Sequence, residues 1–198
     1  MSGFQDSIAN EIAQGTRVLD LGCGNGALME RLIQTKSVTA YGIDIDPNNI
    51  LTCLNKGLNV IEHDINTGLD LFSPNTFDMV IFSQTLQEIK DPVATIDAIL
   101  TIANTCIISF PNFAFLPNRI QAILGRTPQS ASLPHTWFES PNIRFLSIHD
   151  FKQFCHRQGI ELVKPLPLFN TPWLNAIVPH CLDNLVAPRG RFVIRRQA

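Results

Sequence analysis

Asp20 closes a short apolar run, Arg17-Val18-Leu19-Asp20-Leu21, and glycines follow at 22, 24 and 26 before an apolar-periodic segment opens at Ala27. A strand, a glycine turn and a helix start, in that order, build the floor of a nucleotide-binding crevice. Glycines adopt positive φ at no steric cost and leave no Cβ between backbone and ligand. The helix start adds unpaired N–H groups. The spacing is G-x-G-x-G, whereas a dinucleotide loop uses G-x-G-x-x-G, and Asp20 would set a carboxylate against dense pyrophosphate charge. A carboxylate in that place suits a cation. A second acid, Asp44, ends the next apolar run. It lies about twenty residues past the loop, the distance at which such a crevice holds a ribose, and a carboxylate can accept from both ribose hydroxyls together. Asp46 stands before Pro47 and reads instead as a helix N-cap with proline at the first position.

The order Asp20-x-Gly22-x-Gly24-x-Gly26 resembles motif I of the class I S-adenosylmethionine methyltransferases, whose ligand carries an ammonium beside a sulfonium. The resemblance implies S-adenosylmethionine or S-adenosylhomocysteine held by Asp20, Gly22, Cys23, Gly24 and Gly26 of the loop, with Asp44 at the ribose. In this class the residues after the third strand flank the adenine. Asp64 there either accepts from the exocyclic amine or caps the turn before Gly68, while Ile45 and Ile65 offer apolar faces to the ring and His63 is at most a lining residue. Ser83 and Gln84 follow the fourth strand at the C-terminal edge of the sheet, where open α/β folds place their chemistry. Asn-Pro-Pro-Tyr, which grips the target amino group in many nitrogen methyltransferases, is missing from that segment. Glu88, His135 and His149 are candidate bases, each with a surface or capping role as its alternative. No spacing selects one of them, so no catalytic residue is assigned.

A frame for these residues comes from the hydrophobic periods. Apolar runs predict strands at 17–21, 38–45, 58–65, 77–82, 105–110, 160–165 and 190–195, with helical segments opening at 27, 47 and 92 between them. Residues 4–14 carry Phe4, Ile8 and Ile12 at helical spacing, ended by Gly15, and His149-Asp150 caps a helix that runs to Gln158. The pattern predicts an α/β, doubly wound parallel sheet with helices on both faces; the resemblance to the class I methyltransferases implies their Rossmann-like fold, a seven-stranded, mostly parallel sheet with the last strand antiparallel at its edge. One domain over 1–198 is expected. An irregular stretch at 111–147 interrupts it, with Phe113, Phe115, Trp137, Phe138 and Phe145, and is long enough to be a lid or a surface for another molecule. A second proline-punctuated stretch, 169–188, carries Trp173 and Ala176-Ile177-Val178.

Composition narrows the function classes. Hydrophobic residues make up 45% and charged residues 16%, proportions of a folded chain rather than a disordered one. The net charge of −2 gives no electrostatic case for nucleic acid. The densest basic group, Arg189, Arg191, Arg195 and Arg196, reads as solvated flanks of the last strand. Five cysteines without C-x-x-C pairing imply neither a disulfide framework nor a zinc site, and suit a reducing compartment. With no apolar leader and no run of membrane-spanning length, a cytoplasmic protein is expected.

Several blocks are more particular than the glycine loop: Tyr41-Gly42-Ile43-Asp44-Ile45-Asp46, Ser83-Gln84-Thr85-Leu86-Gln87, Ser109-Phe110-Pro111-Asn112-Phe113 and Pro134-His135-Thr136-Trp137-Phe138-Glu139-Ser140-Pro141-Asn142-Ile143. On these the chain resembles the MetW family of methionine biosynthesis, up to about Lys164. The resemblance implies a S-adenosylmethionine-binding fold and association with a MetX-type homoserine O-acyltransferase, whose activity the family is thought to support. It implies no methyl acceptor. Two readings follow: a regulatory partner that keeps the ligand site and docks through the aromatic stretch, or a methyltransferase acting on a small molecule.

Overall fold

The computed structural model describes residues 2–165 and 182–197. The strands are β1 (Arg17–Leu21), β2 (Thr39–Asp44), β3 (Asn59–Glu62), β4 (Met79–Ser83), β5 (Thr105–Pro111), β6 (Ile160–Pro165) and β7 (Arg189–Arg196). They form one sheet in the order β3-β2-β1-β4-β5-β7-β6. Pairs among β1 to β5 are parallel, and β7 runs antiparallel to both β5 and β6. The predicted mostly parallel, seven-stranded sheet is therefore observed, but the last strand is not at its edge: β7 pairs on both sides, between β5 and β6, and β6 forms the edge.

Alternation along the central strands sends side chains to two apolar layers. Leu19, Leu21, Val80, Phe82, Cys106 and Ile108 face one side, while Val18, Ile81 and Ile107 face the other. Helices α1 (Ser2–Ala9), α2 (Ala27–Lys36) and α3 (Pro47–Asn55) cover the second layer through Ile8, Met29, Leu32 and Cys53. Helices α4 (Pro92–Ile102) and α6 (Ile148–Arg157) cover the first through Ile96, Ile99, Phe151 and Cys155. Chain order reverses between β1 and β4. In open α/β sheets that reversal opens a crevice beyond the strands' carboxyl ends.

Several local expectations change. The first helix ends at Ala9 rather than near Gln14, yet Ile12 stays buried. The chain must turn at Gly15, φ +73°, to enter β1, so the apolar period outlasts the helical backbone. The irregular stretch contains a helix, α5 (Leu116–Ile123), whose apolar residues Leu116, Ile120 and Ile123 are exposed while Asn118 is buried. The N-cap of α6 is Ser147, in a capping box with Asp150, rather than His149-Asp150. Arg195 pairs with Glu161 at 2.7 and 2.9 Å and Arg196 with Asp97 at 2.7 Å, but Arg191 is buried and is no solvated flank. Trp173, Ala176-Ile177-Val178 and Cys181 lie outside the described residues. The cysteines Cys23, Cys53, Cys106 and Cys155 are unpaired and buried. Among the described residues no helix is long and apolar enough to cross a membrane.

Asn112 holds the corner where β5 leaves the sheet. Its Nδ2 donates to the carbonyls of Ala187 at 2.7 Å and Asn184 at 3.1 Å, and its Oδ1 accepts from the Ala114 N–H at 3.1 Å. Its own carbonyl accepts from Asn118 Nδ2 at 3.1 Å, which ties α5 to the same post. Replacing Asn112 by alanine orphans buried carbonyls and an N–H. The expected loss is about 2–3 kcal/mol, measured as a lower urea midpoint with an unchanged slope.

Candidate functional site

The loop after β1 folds over the end of β2: the N–H groups of Gly22 and Cys23 both donate to the Ile43 carbonyl, at 2.8 and 2.9 Å. Gly22 has φ +77°, and a Cβ there would lie 2.5 Å from Thr85 Oγ1. Only glycine lets the loops after β1 and β4 meet so closely. Thr85 Oγ1 donates to the Leu21 carbonyl at 3.3 Å across the same gap. Gly26 caps α2 at φ +73°, and a Cβ there would press on Cys53 Sγ at 2.8 Å and on Leu58. Gly26 thus seats α2 against α3. The Gly24 carbonyl accepts from Cys53 Sγ at 3.3 Å, binding the loop to α3 from behind.

Asp44 is pinned by three protein donors. The Gly24 N–H gives to Oδ2 at 2.7 Å, while the Asp46 N–H at 2.9 Å and Asn49 Nδ2 at 3.1 Å give to Oδ1. A carboxylate has about four acceptor sites. The expected grip on two hydroxyls is therefore reduced to one open site, on Oδ2, because the protein uses the rest to fix the loop.

Asp20 lies behind the loop rather than in the crevice. In register it pairs with Gly42 and Ile81, and it is 4% exposed. It makes no side-chain hydrogen bond among the described residues. Burial first, and the nearby Asp44 second, push its pKa up to about 7. The Cys23 side chain also turns inward, toward the place where Gly42 lacks a Cβ, so Cys23 offers the crevice only backbone.

The crevice has a volume of about 520 Å³. Of the residues singled out from sequence, Gly22, Asp44, Ile45, His63, Asp64, Ile65, Ser83 and Gln84 line it, whereas Asp20, Cys23, Gly24 and Gly26 do not. Ile45 is 63% exposed, an apolar face left open in the crevice. Asp64 acts as the N-cap of the turn Ile65–Thr67, its Oδ1 accepting from the N–H and Nδ2 of Asn66, both at 2.9 Å. The capping alternative holds for one oxygen of a residue that also faces the crevice. Ser83 Oγ and Gln84 Nε2 both meet Ser109 Oγ, at 2.9 and 3.1 Å. Gln84 sits in the left-handed region at φ +61°, a conformation costing about 1–2 kcal/mol outside glycine.

Sequence reasoning missed Asn49, Asn66, Thr85, Ile89 and Pro141 as parts of the site. Asn49 had a signal of a kind: it lies in the first turn of the helix that Asp46 caps, where a side chain can reach back. Of the candidate bases, Glu88 lines the crevice. Burial, with Asp44, raises its pKa, against the pull of Gln87 and His135. His135 lies in an adjoining pocket, and His149 sits apart on α6 beside Gln153 Nε2 at 2.9 Å. No lysine or arginine among the described residues lines the crevice, whereas Asp44, Asp64 and Glu88 do. Its field suits a cation and opposes a polyphosphate.

The sequence matches the family described as Methionine biosynthesis protein MetW over residues 4–194. The chain belongs to the MetW family. The match extends past Lys164, where the resemblance read from motifs stops. A relative, the bifunctional methionine biosynthesis protein MetXA/MetW of Rhodopirellula baltica, is 34% identical over 168 residues, 80% of this chain and 27% of that protein. The mitochondrial ubiquinone biosynthesis O-methyltransferase of Dictyostelium discoideum is 30% identical over 129 residues, 57% of this chain and 40% of that one. The MetW chain thus spans less than half the length of either relative. A S-adenosylmethionine-dependent methyltransferase from Mesorhizobium loti superposes with a TM-score of 0.72 over 98% of each chain, at 14% identity. The MetW chain has the class I methyltransferase fold.

The raised Asp20 pKa makes stability depend on pH. Unfolded, Asp20 releases its proton near 3.8, and folded only near 7. Between these values the native state binds more protons, so stability falls as pH rises, by up to about 1.4 kcal/mol per pH unit, and levels off above 7. Ligand-free protein should unfold at lower denaturant at pH 7 than at pH 5, and Asp20→Asn should remove most of that difference.

Proposed function

We propose that this MetW-family protein binds S-adenosylmethionine in the crevice of a cytoplasmic, reduced protein and docks on a MetX-type homoserine O-acyltransferase to support its activity. The observation that carries the docking is the exposed pair Trp137 and Phe138, 75% and 68% exposed, with rings edge to face at 5.6 Å. Aromatics dominate interface energies, and large exposed ones mark binding surfaces more than lids. A lid would turn these rings into the crevice, and only Pro141 of the stretch lines it.

The stretch is also tied to the crevice. The N–H groups of Ile143 and Arg144 both donate to the Gln87 carbonyl at 3.0 Å, and Arg144 Nε donates to the Ile89 carbonyl at 3.3 Å. Glu88 and Ile89 line the crevice between those anchors. A ligand that shifts Pro141, Glu88 or Ile89 thereby acts on the aromatic surface, and linkage makes the effect reciprocal. The MetXA/MetW relative, by its name, carries both activities in one polypeptide, which supports a working contact between separate chains of the two kinds.

The acid-lined crevice, its open Ile45 face and the buried charge of Asp20 fit S-adenosylmethionine. When bound, that cofactor supplies an electrophilic methyl group on a sulfonium. Asp20 would act on it through its charge, Asp44 Oδ2 would accept from a ribose hydroxyl, and Ile45 with Ile65 would offer the adenine an apolar face. Asp64 keeps its cap while its second oxygen faces the base, and Ser83 and Gln84 close the far side. A second reading, methyl transfer to a small acceptor, is favoured by Glu88: a partly buried carboxylate with a raised pKa is the form a general base takes.

The test is acyl transfer to homoserine by the acyltransferase of the same organism, with and without this protein, across a S-adenosylmethionine titration. The rate should rise on adding the protein and vary with the cofactor. Trp137→Ala should weaken the complex about 30-fold, a hot-spot loss of about 2 kcal/mol, with cofactor affinity unchanged. No change in rate and no complex on a sizing column would overturn the partner reading. Cofactor affinity should itself fall as pH drops below 7, by up to about tenfold per pH unit, and Asp20→Asn should weaken binding and flatten that profile.

A further inference from the structure

The sheet has two edges, and they are built differently. β6 forms one of them. Its ladder shifts register between Leu162 and Lys164, and it ends on Lys164-Pro165. A bulge, a lysine and a proline on an edge strand are devices that keep another chain from adding to it. β3 forms the other edge with Asn59-Val60-Ile61-Glu62, which carries neither proline nor lysine and pairs with β2 without a break.

The direction of its backbone groups follows from one bond. The His63 N–H donates to the Asp44 carbonyl at the end of β2, at 3.0 Å. The N–H and C=O of one strand residue point the same way, and successive residues alternate. Asn59 and Ile61 therefore face β2, as His63 does, and Val60 and Glu62 face outward. Two N–H and two C=O groups stand on the open side of β3, where no backbone group among the described residues meets them.

Apolar side chains border this open side on both faces of the sheet. Val60 packs in the layer under α3, together with Cys53, so Ile61 points to the opposite face, where it is 40% exposed. On the α3 face, Cys53 turns toward Gly24 and Gly26. Leu51 stands about 160° around the helix from Cys53, on the side of the edge. Leu51 and Leu54 are 59% and 53% exposed.

A second β3 satisfies the open groups completely. Run antiparallel with Ile61 opposite Ile61, Val60 and the Glu62 of the other copy exchange both backbone bonds, and the two-fold axis repeats the pair. Each Glu62 then lies across from a valine, so like charges are not opposed. An axis perpendicular to the sheet preserves its faces, which brings Leu51 and Leu54 of one copy toward those of the other. A standard interface buries roughly 800 Å² per partner, more than a four-residue strand supplies, and α3, packed along β3, extends the contact. We propose that the protein forms a two-fold dimer through β3, joining two sheets into one. The dimer goes beyond the cofactor and partner roles and rests on neither. Since β3 runs directly into His63, Asp64 and Ile65, the pairing also braces one wall of the crevice.

Sedimentation of the full chain tests the pairing, and a dimer with a Kd of about 10 μM or tighter is expected. Ile61→Lys sets two like charges across the axis, and Leu51→Lys does so in the helix contact. Each should weaken the dimer about 30-fold or more, whereas Val163→Lys, exposed on β6, should leave it unchanged. The register has its own test. Opposed residues that exchange no backbone bonds have Cα atoms about 4.5 Å apart, within the span of a disulfide. On mild oxidation with diamide, Ile61→Cys should give a covalent dimer on a non-reducing gel, above the background set by the unaltered chain. Asn59→Cys, which this register carries well past its own copy, should not. A monomer at about 0.2 mM, a dimer indifferent to both lysine substitutions, or cross-linking of Asn59→Cys as readily as Ile61→Cys would overturn the proposal. Val60 and Glu62 amides that gain exchange protection only when the acyltransferase is added would also overturn it, and would give the edge to that partner.

Discussion

The hydrogen bond from the Gly24 N–H to Asp44 Oδ2, at 2.7 Å, is the tie on which the site depends. It joins the loop after β1 to the end of β2, and the same carboxylate takes Asn49 from α3 and the Asp46 backbone on its other oxygen. Bonds to an ionised acceptor contribute about 1.5–3 kcal/mol each, more than most neutral ones. Three on one group explain how a stretch carrying glycines at positive φ holds a single shape. The cost is electrostatic. A charged Asp44 close to Asp20 is part of what keeps the latter's proton on until about pH 7. Burial and the neighbouring carboxylate thus both act against the ionised form of Asp20.

Much of this was legible in the sequence, for identifiable reasons. Central parallel strands are covered on both faces, so runs such as Met79-Val80-Ile81-Phe82 are apolar throughout and cannot be mistaken for loops. The glycine spacing pointed to a crevice after β1, and Gly22 and Asp44 line one. What sequence did not disclose is how a residue's capacity is divided. Asp44 reads as a free carboxylate until its protein donors are seen, and Asp64 looks like either a cap or a ligand and has oxygen atoms for both. Helix α5 was hidden because its apolar residues face solvent. A stretch of prolines and exposed aromatics around it masks the period that a buried helix would have made plain. Asn112 gave no signal, since a buried asparagine that satisfies backbone carbonyls looks in sequence like any polar residue near a turn.

The same fold serves methyl transfer in some proteins, and function resides in the site rather than in the fold. Residues 131–145 bring three settings together: Pro141 in the crevice, His135 in the adjoining pocket, and Trp137 and Phe138 in solvent. One short segment therefore borders two cavities and presents a surface outward.

The thiol of Cys53, behind the glycine loop, has a practical consequence. It is fully buried and donates to the Gly24 carbonyl at 3.3 Å, so no reagent reaches the sulfur while the loop is seated. Labelling of that thiol proceeds only during excursions in which α3 and the loop separate. Its labelling rate in a native solution therefore works as a clock for breathing of the crevice wall, and it keeps time without a fluorophore, a substrate or an assay for catalysis.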